Sequence, residues 1–373
     1  MATQSARTSA GQRTIPWVWI SRIGIVIFFV LFLLVPLIGV VQEMIANPQL
    51  LARQLIIGLT NGAYIALIAM GYTLVYGIVE MINFAHGEVY MIGAFLALTL
   101  VGIFDLTEKT PYSIRVPMLL LILVITMFCT AMLNVAIERL AYRRLRNASK
   151  LAPLISAIGV SFVLQNAGLL WGYLRFPAMH GIMGNNAVAP KSFPSLLPND
   201  NILEGLTAVF GENFKIRLAG KDLIVVIVSV SLLIALYLFI QRTKLGKAMR
   251  ATAQDRSAAE LMGIDVNRTI SLAFLLGGAM AGAAGLLVGL YNGTAVFTMG
   301  FTAGLRSFTA AVLGGIGNIA GAMLGGLLIG LISALSDQYL SAKWTNAVVF
   351  GILVIILVFR PMGLLGEEGG QKA

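Results

Sequence analysis

The chain has one cysteine, Cys129, and two histidines, His86 and His180, in 373 residues. A single cysteine excludes an intrachain disulfide. One cysteine and two distant histidines also give no ligand set of recognised metal spacing, so neither a metal nor another cofactor is expected. Charge is scarce as well: Asp, Glu, Lys and Arg make up 11% of the residues, against roughly 25% in a soluble domain. Acids are the scarcer sign, 16 against 26 basic residues, for a net charge of +10. That excess sits in the connections between apolar runs, and no nucleic-acid-binding motif accompanies it. Nucleic acid is therefore excluded as a partner, and anionic membrane lipid is expected.

What the chain has in quantity is apolar. Hydrophobic residues reach 58% and mean hydropathy is +0.89. They come in runs of helix length without the short alternating strands of a barrel. The fold class is an all-α polytopic membrane protein with eight to ten transmembrane segments, some of them re-entrant or broken.

Residues 1–15 read as a polar cytoplasmic tail. Residues 16–41 form a first span opened by Trp17 and Trp19 and kinked at Pro36; the run exceeds a signal-peptide core and offers no small-x-small cleavage site. Leu55–Val79 carries Asn61 and Tyr64, expected to face a substrate pathway. Met81–Tyr90 then brings Asn83, His86 and Glu88, with Glu80 just before, between two apolar runs. Polar and ionisable groups are costly at such a place, and these are expected on the same pathway. Cys129, in the run Val116–Ile137, is expected to pack. Arg139, Arg143, Arg144, Arg146 and Lys150 face Glu138 alone, marking an inside loop. Gln165 and Asn166 in Leu151–Tyr173 read as hydrogen-bonding glue between helices.

Residues 174–221 form an external loop rich in proline, and residues 241–268 form a cytoplasmic one. In the latter, Arg250–Arg268 reads as a short helix ended at Gly263, with Ala251, Asp255, Ala258 and Ala259 on a small-residue side and Arg250, Arg256 and Glu260 exposed. Such a face suits docking against another protein. Gly278 and Gly282 in one span, and Gly317, Gly321 and Gly325 on one stripe further on, are expected to let helices cross closely. Leu305–Leu313, with Arg306 near its start, reads as a half-helix. Phe301–Val312 also echoes Phe84–Leu96 as a pseudo-repeat. Residues 51–366 form the main polytopic domain and residues 367–373 a polar tail.

Several of these stretches together resemble one family. Gly71-Tyr-Thr-Leu-Val-Tyr-Gly-Ile-Val-Glu-Met-Ile-Asn-Phe-Ala-His-Gly-Glu-Val-Tyr-Met-Ile-Gly93 is similar to the signature of the permease subunits of high-affinity branched-chain amino acid ABC importers. The Arg250–Arg268 loop, Phe308-Thr-Ala-Ala-Val-Leu-Gly-Gly-Ile-Gly317 and Pro361-Met-Gly-Leu-Leu-Gly366 match as well, in order. The resemblance implies an inner-membrane transport subunit that is not itself an enzyme. Its implied partners are a second homologous permease, ATP-binding subunits and a periplasmic substrate-binding protein. Arg250, Asp255, Arg256, Glu260 and Gly263 would form the coupling element. Two departures stand out: the span at residues 16–41 is additional, and Glu80 stands where a small residue is more usual. The same family pattern also serves permeases for urea and short amides. A secondary transporter or channel with a His86/Glu88 ion or proton relay is the alternative from the residues alone, but it gives the Arg250–Arg268 loop no role.

Overall fold

A computed structural model describes residues 38–81, 83–146, 148–149, 151–171, 186, 188–206 and 216–366. The predicted N-terminal tail, Trp17, Trp19, Pro36, His180, much of the 174–221 loop and the 367–373 tail lie outside them. The chain divides into two units, Met1–Pro48 and Gln49–Ala373. In the first, residues 38–46 are helical.

The second unit is helical nearly throughout. Helix α1 (Pro48–Val79) is followed by α2 (Ala85–Ile103), α3 (Tyr112–Ile137) and α4 (Leu151–Trp171). A π turn (Glu138–Tyr142) and a 3-10 turn (Arg143–Leu145) follow α3. After the external stretch come α5 (Gly220–Arg242), the short α6 (Lys244–Gln254) and α7 (Arg256–Leu261), and the long α8 (Val266–Asn292). The chain closes with α9 (Met299–Gly314), α10 (Ile319–Ser336) and α11 (Ala342–Phe359). Among the described residues, 7 stretches are long and apolar enough to cross a membrane. The last, Ile319–Phe359, holds both α10 and α11. It folds back at Ser341, where Thr345 Oγ1 on α11 lies 3.2 Å from Ser336 Oγ at the end of α10. Counting it as two, and adding the shorter α9, agrees with the eight to ten segments read from the sequence.

Hydrogen bonds sort the helix ends into two sides. Arg256 donates to the Ile78 carbonyl, and Arg146 Nη1 donates to Asn267 Oδ1 at 2.9 Å. The end of α1, the basic loop after α3, the α6–α7 loop and the start of α8 therefore share one side, the one that carries the basic loops. On the other side Lys221 Nζ reaches the Tyr291 carbonyl at 3.2 Å, and Arg115 Nη1 reaches the Leu196 carbonyl at 3.2 Å. There Lys191–Ser192 (β1) pairs antiparallel with Thr294–Ala295 (β2), which ties the external loop to the α8–α9 connection.

These directions make α1–α4 and α8–α11 an inverted pair: α1 runs toward the basic-loop side where α8 runs away from it, and each later helix is opposed likewise. The packing repeats too. Gly278 and Gly282 of α8 lie against Thr130 and Asn134 of α3, while Gly58 and Gly62 of α1 lie against Leu327 and Leu331 of α10. At each of these glycines a methyl group would overlap the neighbouring helix. Small residues thus set both long crossings, as close backbone approach in an apolar solvent requires.

Several expectations are corrected at this level. Gly317 is not on the α10 stripe: it stands in the turn before α10 with φ +97°, and nothing lies near where its Cβ would be. Gly321 and Gly325 do lie on α10 and face Gly314 and Ala310 of α9. Asn166 bonds the Phe162 carbonyl of its own helix at 2.8 Å rather than a neighbour. Cys129 is exposed on α3, because its side of that helix faces outward rather than into the bundle. Arg306 sits in the middle of α9, which begins at Met299, six residues earlier than the apolar pattern implied.

Candidate functional site

Val79 ends α1, but α2 does not begin beside it. His86, the second residue of α2, packs on Gly71, eight residues or about 12 Å back along α1. Glu80 makes the turn that sends the chain back, with φ +54°, a left-handed conformation that non-glycine residues adopt at a cost of about 1–2 kcal/mol. Glu80 itself is exposed. The first turn of α9 meets the first turn of α2: Gly87 lies against the backbone of Gly300 and Gly304, so neither side tolerates a side chain. Two helix N-termini converge there, each carrying a partial positive charge of about half an electron.

The polar groups of this junction are sealed in. Asn83, His86 and Glu88 are each at most 1% exposed. Tyr142 donates to Asn83 Oδ1 at 2.7 Å, pinning the re-entrant segment to the π turn after α3. Ser161 of α4 approaches Glu88 Oε1 at 3.4 Å, and the other carboxylate oxygen abuts Gly300 in the first turn of α9. The convergent N-termini favour negative charge at that point. The His86 ring stands edge-on to Tyr72, centroids 4.8 Å apart. Neither ring nitrogen has hydrogen-bond geometry to a partner among the described residues, with the Ile68 backbone beside it. A cavity of only about 10 Å³ lies close by, lined by Tyr72, Tyr76, Met81 and Phe308 among others. All of these contacts are made within this chain.

Asn61 and Tyr64 are placed differently. Both are half-buried on α1, and Tyr64 lies within electrostatic reach of Arg306 and Asp337. Arg306 donates from Nε (3.2 Å) and Nη2 (2.9 Å) to Asn346 Oδ1 on α11. The two line a cavity of about 110 Å³ with Phe301, Thr302, Leu305, Val349 and Phe350. Arg306 was visible in the sequence as an ionisable group in an apolar run. Asn346, Tyr142 and Ser161 gave no such signal, because their roles depend on partners 40 to 73 residues away.

The 241–268 loop is two helices rather than one. Asp255 ends α6 and caps α7, accepting from the Ala258 amide at 3.0 Å, so the chain turns where a continuous helix was expected. Arg256 is half-buried, not exposed. Its Nε and Nη2 grip the Ile78 carbonyl at 3.1 and 2.6 Å. Arg250 bonds the Ile240 carbonyl at 2.5 Å, while Glu260 is exposed. Of the small side, Ala259 is buried and Asp255 and Ala258 are exposed. Gly263 takes φ +82° in open space, the left-handed helix end that glycine favours. Leu261 and Met262 just before it are 88% and 82% exposed, an apolar tip with nothing covering it among the described residues.

The profile of the family described as "Branched-chain amino acid transport system / permease component" matches residues 54–358. The high-affinity branched-chain amino acid transport system permease protein BraD of Pseudomonas aeruginosa is 41% identical over 325 residues, covering 86% of this chain and 97% of that protein. LivH of Escherichia coli K12, of the same description, is 39% identical over 321 residues with the same coverage. A probable branched-chain amino acid transport permease protein, LivH of Methanocaldococcus jannaschii, is 32% identical over 226 residues, covering 60% of this chain and 62% of that protein.

Proposed function

The chain belongs to the branched-chain amino acid transport system permease family, and on that premise we propose how it works. It is the membrane subunit of an ATP-driven importer in a bacterial inner membrane. It pairs with a second, homologous permease, receives leucine, isoleucine or valine from a periplasmic binding protein, and is driven by separate ATP-binding subunits that dock on the α6–α7 loop.

One observation carries the coupling part. Arg256, at the start of α7, holds the Ile78 carbonyl at the end of α1, two residues before the left-handed turn at Glu80. A displacement of the loop is therefore delivered directly to the re-entrant junction. That junction, the meeting of α2 and α9 through Gly87, Gly300 and Gly304, is tightly packed and suits a discrete rearrangement rather than gradual deformation. Asn83, His86 and Glu88 brace it; Asn61 and Tyr64 are the pathway-facing polar groups. Tight cargo binding inside the membrane would slow release, so few ligands are needed. Asp255 and Gly263 shape the docking tip, while Arg250 and Glu260 border it.

The test is reconstitution in liposomes with the neighbouring binding protein and ATPase subunits. Leucine uptake is expected to require internal ATP and to survive collapse of the proton gradient. Uptake that ignores ATP but stops when the gradient is collapsed sinks this reading in favour of a His86/Glu88 relay.

A further inference from the structure

Arg306 is a half-buried cation on an apolar helix, and its bonded partner is a neutral amide on the exposed side of α11. Among the described residues the ion pairs are Arg146–Glu138 and Arg268–Asp265, so Arg306 has no carboxylate at contact distance. The Asp337 carboxylate is engaged by the Thr345 hydroxyl. An ionised group in such surroundings is costly and marks a pathway or ligand site unless it is paired. The Nε–Nη2 edge of the guanidinium is spent on one oxygen, Asn346 Oδ1. That contact fixes the plane of the fork and leaves the Nη1–Nη2 edge to a further acceptor. Carboxylates match this edge with two parallel hydrogen bonds.

The surroundings fit a small amphiphilic acid. The cavity of about 110 Å³ is well above the roughly 10–15 Å³ that one water needs. Its other walls are Phe301, Leu305, Val349 and Phe350, with Thr302 the one further polar side chain. Asn346 is next to Thr345, which bonds Ser336 at the outer end of α10, so the site lies toward the outer face. Tyr64 is within electrostatic reach of the same charge.

We propose that Arg306 and Asn346 form a carboxylate-binding subsite at the outer entrance of the pathway, taking the α-carboxylate of an amino acid while the apolar wall takes its side chain. The substrate class rests on the function proposed above; the anion site itself does not. Such a subsite orients cargo at entry, and its single charged anchor is released when the fork turns away from Asn346.

The experiment uses the full importer in lipid nanodiscs, with Thr302→Cys as a reporter in a Cys129→Ser background. An anionic sulfonatoethyl methanethiosulfonate is expected to react roughly tenfold faster than the cationic trimethylammonium reagent. Arg306→Gln is expected to bring that ratio near one. Leucine should slow labelling, and leucinamide, which lacks the carboxylate, should not. Equal rates for the two reagents with Arg306 present, or equal protection by leucine and leucinamide, overturn the proposal. The headgroup source is separated by comparing phosphatidylcholine with phosphatidylglycerol discs. Protection by the anionic lipid but not by leucine means the fork holds lipid phosphate, which also overturns it. Leucine uptake is measured in parallel with the same proteins in liposomes: uptake without charge preference removes the subsite, whereas charge preference without uptake keeps the anion site and removes the leucine assignment.

Discussion

At the residue scale, His86 illustrates how a polar group in a membrane protein can serve structure. The ring is fully buried, edge-on to Tyr72 and packed against Gly71, whose missing side chain is the space the imidazole fills. Gly71→Ala forces the two to overlap and is expected to cost about 1–3 kcal/mol through overpacking. His86→Ala removes the obstacle. The double substitution should therefore cost less than the sum of the singles, with a coupling of about 0.5–3 kcal/mol. Thermal unfolding of the four proteins in detergent reads this directly. Strict additivity would show that the ring does not occupy the Gly71 face. The pairing was invisible in the sequence, where Gly71 and His86 are fifteen positions apart and belong to different helices.

At the element scale, the α6–α7 loop separates docking from folding. Gly263 takes a left-handed conformation with open space around it. A Cβ there meets no atom within 4 Å, and a non-glycine residue pays the backbone strain of about 1–2 kcal/mol. The bulk and charge instead project beside Leu261 and Met262, the exposed tip. Gly263→Arg is expected to insert and to unfold only a few degrees lower, while ATP-coupled uptake is lost. Uptake at the wild-type rate would remove the loop as the ATPase docking element. The glycine and the break after it were legible, since a helix former run ending in glycine is a local signal. The second break at Asp255 was not, because a capping aspartate also reads as a tolerated residue on an exposed helix face.

For the whole molecule, burial is divided sharply. The crossing stretches of α1, α2 and α8 are 83%, 78% and 83% buried, whereas those of α3, α4 and α5 are 22%, 17% and 28% buried. The outer helices therefore present apolar surface to lipid or to a second permease. Cys129 lies on that exterior. Cys129→Ser is expected to change stability by no more than about 0.5 kcal/mol, as outward-facing substitutions usually do, and to leave uptake unchanged. A large drop in melting temperature would mean that α3 is covered there in the assembled protein. The inverted arrangement of α1–α4 and α8–α11 belongs to this scale as well. Its trace in the sequence was the likeness between Phe84–Leu96 and Phe301–Val312, two stretches that the fold brings together at their first turns.

The sequence alone determined the membrane class and the existence of a break after α1, and its motifs carried the resemblance to the family. The first two follow from composition, run length and polar interruption, which act locally and do not depend on what a helix touches. Tertiary structure decided which polar groups are sealed and which face a cavity. Asn83, His86 and Glu88 looked alike as costly groups on a pathway, yet Tyr142, Tyr72 and the start of α9 enclose them. Arg306 looked like the edge of a half-helix, yet Asn346 and an open cavity give it an orientation. The physical reason is that the cost of a polar group in an apolar medium is fixed by its partners. Those partners come from helices far apart in the chain, and only the packed bundle selects them.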